Sequence, residues 1–159
     1  MIPEYEIFKY SKDNEHKFKQ HIIDLKLKDM DITEIELMGS NKDNIINDIL
    51  NFKSENIFLI FMNKYGLVSI IGSKELNELS CYIWMVTSKD IYKKSYKFAK
   101  YTYDFILKFQ QTYDYLYTYK YINDKKGLKW LKYNGFIEED KLYFNNKFKL
   151  MVNKKIQRI

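Results

Sequence analysis

Apolar positions along the chain recur at intervals that separate helices from strands. Phe18, Ile22 and Leu25 follow Asp13-Asn14 at helical spacing and predict a helix over Lys17–Leu27. Ser40-Asn-Lys-Asp43 reads as a capping box that opens a second helix, with Ile45, Ile46, Ile49 and Leu50 on one face. The continuous run Ile57–Met62, the turn Asn63-Lys-Tyr-Gly66 and the return Leu67–Gly72 predict a hairpin. Cys81–Val86 predicts a third strand, ended by Thr87-Ser88. The longest helix is expected over Asp90–Gln110, with Ile91, Ser95, Phe98, Thr102, Phe105 and Phe109 as its stripe and Thr87 as its cap. Tyr113–Ile122 then alternates strictly, as a strand does. A short helix over Asp124–Tyr133 stops at Asn134-Gly135, Phe136 opens a further strand, and Asn145-Asn146 is placed to turn it into a last one.

The order is α-α-β-β-β-α-β-α-β, with that extra strand possible at the end. Strand, long helix, strand is a crossover and requires a parallel pair, whereas the hairpin adds antiparallel pairing. The expected class is α/β: a mixed sheet, mostly antiparallel with one parallel crossover, flanked by helices. No Pro-, Gly- or Ser-rich linker and no repeat interrupts the 159 residues, so a single domain over 1–159 is expected.

Composition narrows the chemistry. A single cysteine, Cys81, excludes an internal disulfide and a cysteine-built zinc site. His16 and His21 lie five apart on a helix, which does not set them side by side, so no metal is expected. The longest apolar run is far too short for a membrane span, and Met1-Ile-Pro-Glu-Tyr-Glu lacks the basic start of a secretory signal. A soluble intracellular protein without membrane contact is the expectation.

The net charge of +6 comes from 26 lysines and one arginine, Arg158. Abundant Lys, Asn, Ile, Tyr and Phe follow from AT-rich coding, and the arginine fork favoured at nucleic-acid sites is missing, so nucleic acid is disfavoured as a partner. Distribution says more than the total. Residues 1–88 carry a net −4 and residues 89–159 a net +10, which suits an anionic partner for the second half. Tyr113, Tyr115, Tyr117, Tyr119 and Tyr121 share one strand face. Three readings stand beside one another: a core strand packed on the long helix, a protein interface, or a stacking platform for single-stranded nucleic acid helped by Lys120, Lys125, Lys126 and Lys129. The basic tail Lys147–Arg158 reads as a solvated end or an anchor to an acidic chain.

The order of elements, together with Gly135-Phe136 ending a short helix that carries Gly127, resembles the GNAT (general N-acetyltransferase) fold. Asp31-Ile-Thr-Glu34-Ile35, Ile83-Trp84-Met85 and Lys129-Trp130-Leu131 resemble segments of the acetyltransferase-like internal virion proteins of short-tailed phages. The resemblance covers roughly residues 15–140. It implies partners among phage virion or host proteins, and a location in the virion or host cytoplasm.

The resemblance also implies acetyl-CoA chemistry, which needs donors for a pyrophosphate, a base, and an acid for the departing thiolate. Family members carry a Gly-rich turn between the central strand and the long helix. Here Val86-Thr-Ser-Lys-Asp-Ile-Tyr-Lys-Lys-Ser95 contains no glycine. Ser88, Lys89, Lys93 and Lys94 remain as a residual anion site. The tyrosine that often serves as acid is replaced by Leu131, and Glu75 or Glu78 are the nearest carboxylates for a base. The expectation is a protein with a degenerate acetyl-CoA site, no bound cofactor and no catalytic residues, working through protein contacts on Lys120, Lys125, Lys126 and Lys129. The alternative is an active N-acetyltransferase using acetyl-CoA on a protein or small amine.

Overall fold

The computed structural model describes residues 4–53 and 56–155, with residues 92–96 described by backbone alone. The chain forms two compact units, Met1–Lys74 with Trp84–Lys93, and Glu75–Ile83 with Lys94–Ile159.

In the first unit, strand β1 (Tyr5–Lys9) precedes helices α1 (Glu15–Asp24), α2 (Asp29–Leu37) and α3 (Lys42–Leu50). Strands β2 (Asn56–Met62) and β3 (Gly66–Asn77) form the expected hairpin, paired from Asn56↔Ser73 to Met62↔Gly66 with a bulge at Ile60/Phe61. Gly66 closes the turn at φ 71, a conformation that costs glycine nothing. The helix at Lys42 is capped one residue later than expected: Asn41, not Ser40, accepts the Asn44 N–H at 2.8 Å. Apolar faces of the three helices and the strands meet in one cluster containing Phe18, Ile22, Ile46, Ile49, Leu59 and Ile70. Within it Trp84 lies so close over Gly72 that a Cβ there would fall inside the indole.

In the second unit the start of β4 (Ser80–Thr87) pairs in parallel with β5 (Tyr115–Tyr121), in the register Ser80↔Tyr115, Cys81↔Leu116, Tyr82↔Tyr117. Strand β7 (Phe148–Lys154) runs antiparallel to β5, and β6 (Ile137–Tyr143) antiparallel to β7. Helices α4 (Ser95–Thr112) and α5 (Lys125–Tyr133) both supply core to one face of these strands: Ile106, Leu128 and Leu131 cluster with Cys81, Leu116 and Met151. The long helix starts later than its stripe predicts. Lys89–Lys94 is a 3-10 helix, and Thr87 is the last residue of β4 rather than a cap.

The seven strands are hydrogen-bonded in the order β1-β2-β3-β4-β5-β7-β6. Among the described residues the sheet is mixed and mostly antiparallel, with the β4/β5 pair parallel, and five α-helices flank it. No helix among the described residues is long and apolar enough to cross a membrane.

Candidate functional site

The strand-to-helix junction after β4 is held from below by a buried acid. Asp31 shares the inward face of α2 with Ile35 and is 4% exposed. Its Oδ2 accepts the Thr87 N–H at 2.7 Å, and its Oδ1 lies 3.7 Å from Lys28 Nζ. A buried carboxylate needs such partners to offset the loss of water. The next donors are engaged as well. Ser88 N–H donates to the Val68 carbonyl at 2.8 Å, and Lys89 N–H to the Lys26 carbonyl at 3.0 Å. Asp90 N–H donates to Ser88 Oγ at 3.2 Å, and Ile91 N–H to the Ser88 carbonyl at 3.3 Å. Every backbone N–H from Thr87 to Ile91 therefore has an acceptor inside the protein. Ser88 is buried, while Lys89 and Asp90 are exposed. The side chains of Lys93 and Lys94 lie outside the described residues.

A second polar centre opens α5. Asp124 caps the helix, with Oδ1 accepting the Gly127 N–H at 2.9 Å, while Oδ2 pairs with Lys120 Nζ at 2.7 Å. Both side chains are largely buried, so Lys120 is turned inward. Lys125, Lys126 and Lys129 are exposed along α5. A Cβ at Gly127 would collide with Asp124 Oδ2 and Lys120 Cε, so glycine leaves room for the ion pair. At the other end, Gly135 takes φ 91; Gly135 N–H donates to the Lys132 carbonyl and Phe136 N–H to the Leu131 carbonyl, each at 3.0 Å. This is a Schellman cap, with Phe136 packed beside Leu131. Asn153 steadies the turn by donating to the Asn134 carbonyl at 2.8 Å.

Leu131 is core, so no acid comes from that position. Tyr133 points outward, 59% exposed, against Tyr103 with ring centroids 6.0 Å apart. Glu75 and Glu78 are both exposed, at the β3–β4 hairpin. Cys81 is buried, with its Sγ donating to the Tyr82 carbonyl. His16 and His21 are exposed, His21 edge-on to Phe61. Among the described residues no group of three or more His, Cys, Asp or Glu is placed to hold a metal.

The tyrosine strand differs from its core reading. Leu116 is the residue of β5 that joins the core with α4 and α5, so the tyrosines face the other way. Tyr115, Tyr117, Tyr119 and Tyr121 are all half-buried, whereas Tyr113 precedes the strand and packs beside the core. On β6, Glu138 lies between Lys132 at 2.8 Å and Lys149 at 2.5 Å. Hydrogen bonds from Lys132 and Lys149 hold its carboxyl well below the usual range, at about 2.

No protein-family model matches the chain, and no curated protein matches it in sequence. Solved structures do. An acetyltransferase from Streptococcus agalactiae aligns at 12% identity and TM-score 0.69, over 97% of this chain and 100% of its own. An aminoglycoside N(6')acetyltransferase from Legionella pneumophila aligns at 13% and 0.69, over 97% and 94%. A GNAT-family acetyltransferase from Bacillus anthracis aligns at 13% and 0.65, over 96% and 95%. The chain has the fold of the GNAT acetyltransferases.

Proposed function

We propose that the chain is a GNAT-fold protein with a degenerate acetyl-CoA site, acting as a virion-associated or assembly protein through contacts with other phage or host proteins. One observation carries the degenerate site: the N–H groups of Thr87 to Ile91 each have a protein acceptor. A pyrophosphate needs several free N–H groups converging on it, with glycines to let it approach. From Ile91 onward in the 3-10 helix Lys89–Lys94, N–H groups run to carbonyls three residues back. Asp90, exposed at this turn, adds a charge of the wrong sign. The residues present do not fit the cofactor's diphosphate. The virion setting, in the particle or the host cytoplasm, is supported by the sequence resemblance alone. Protein contact is supported by the exposed Lys125, Lys126 and Lys129 of α5 and by the exposed Tyr103, Leu107 and Tyr133 nearby.

Isothermal titration with acetyl-CoA tests the reading: no saturable heat is expected, and a micromolar dissociation constant would overturn it. A second reading, acetyl transfer to a protein or small amine, is favoured by the activity named for the matching structures. It requires Glu75 or Glu78 as base. Thiol release from acetyl-CoA in the presence of candidate amines, abolished by Glu75→Gln or Glu78→Gln, would establish it in place of the first.

A further inference from the structure

We infer that the tyrosine face of the second unit binds single-stranded nucleic acid, through base stacking and phosphate charge. This goes beyond the protein contacts proposed above. It uses the face of β4–β5–β7–β6 opposite to the one on which α4 and α5 pack.

The strand registers put Tyr82, Tyr115, Tyr117, Tyr119, Tyr121 and Tyr143 on that face. Successive tyrosines of β5 stand two residues, about 6.8 Å, apart. Tyr115 and Tyr117 are near-parallel, at 18°, with centroids 6.4 Å apart, about twice the rise between stacked bases. Tyr119 anchors the layer sideways, 5.9 Å from Tyr82, 5.3 Å from Tyr143 and 5.0 Å from Phe144. The rings support one another edge-on and keep partial exposure, so the layer is stiff and still accessible.

Among the described residues, lysines approach the rings of the face at two places. Lys154 Nζ lies 6.0 Å from the Tyr115 ring and Lys141 Nζ 5.2 Å from the Tyr143 ring. Alternation along β6 also sets Glu139, which is exposed, on this face beside Lys141, and the printed partners on β4, β5 and β7 add no further carboxylate. Lysines beside rings select an anion, and a row of rings selects planar groups. A single strand offers both, because its bases are free to leave their own stack. A duplex hides those base faces, and an acidic protein supplies the charge without a row of planes. The scarcity of arginine does not count against this mode. Reading base edges needs the guanidinium fork, whereas stacking and phosphate attraction do not. The lysines that serve the rings are Lys141 and Lys154, not the α5 lysines, which belong to the other side of the sheet.

Fluorescence anisotropy with labelled twenty-nucleotide oligothymidylate and oligouridylate, against a duplex of equal length, tests the inference. Saturable binding at low salt is expected, weakening steeply as salt rises and stronger for the single strands than for the duplex. Comparing the two oligomers tells DNA from RNA. Tyr117→Leu and Tyr119→Leu are expected to raise the dissociation constant about tenfold each. Tyr117→Phe keeps the ring and should bind like the parent. Lys141→Glu with Lys154→Glu should lower affinity and flatten the salt dependence, and thermal melts show whether each variant is folded. The inference is overturned by no binding at low salt, by duplex binding as tightly as single strand, or by folded Leu and Phe variants that behave alike.

Discussion

The two units solve the same packing problem in different ways. In the first, β3 is buried continuously from Leu67 to Ser73, and β2 contributes Leu59 and Ile60 with no exposed surface. Such strands read as unbroken apolar runs. In the second unit, β5 buries only Leu116 fully, and its other face is a half-exposed aromatic layer. Carboxylates follow the same division in part. Asp31 of the first unit is sealed in, while Glu138 of the second keeps a quarter of its side chain in water. The first unit buries both faces of β3, whereas the second leaves one face of β5 half in water.

That contrast is sharpest for apolar truncation. Leu59→Ala should lower unfolding free energy by about 2–5 kcal/mol, whereas Ile137→Ala, at a 70% exposed site in the second unit, should stay within about 0.5 kcal/mol. Urea denaturation measures both, and equal losses would break the comparison. The next effect concerns the acid beneath the junction. Asp31→Ala leaves the Thr87 N–H without its acceptor and should cost about 1–3 kcal/mol, with Asp31→Asn milder. Hydrogen exchange should accelerate at Thr87 in the alanine variant, and an unchanged rate there would remove Asp31 from its holding role.

The smallest effect belongs to Glu138. Its folded pKa of about 2 lies below the ordinary 4.5, so its contribution is complete above pH 4.5 and is lost as pH falls towards 2. Glu138→Gln should flatten that part of a stability–pH curve by lowering the neutral-pH plateau modestly, with the two proteins converging as pH falls towards 2. A curve with the same acid slope would show that the Lys132 and Lys149 contacts are too well solvated to matter.

Much of the fold was legible because its strongest signals are local. The hairpin through Gly66 combines two apolar runs with a glycine turn, and Gly135-Phe136 marks a helix end from sequence alone. Two elements were hidden. β1 carries Glu6 and Lys9 among its apolar residues, as an edge strand tolerates. α2 disguises its inward stripe because one of its two buried members is the acid Asp31. Alternation showed that the tyrosines share a face but not which face is core, since that depends on α4 and α5. In the candidate site, the missing glycines after Val86 were visible, but the engagement of the Thr87 N–H by a residue 56 positions away was not. Lys120 was read as a surface contact because its partner, only four positions on, sits beyond the end of the strand, in the following cap.

Gly127 and Lys120 are coupled through Asp124. Alanine at position 127 would ordinarily favour a helix by about 1 kcal/mol, yet here it would displace the Lys120 ammonium from Asp124. A methyl group at 127 and a lysine reaching Asp124 from 120 compete for one space, so the helix gives up its better former to keep a buried charge paired.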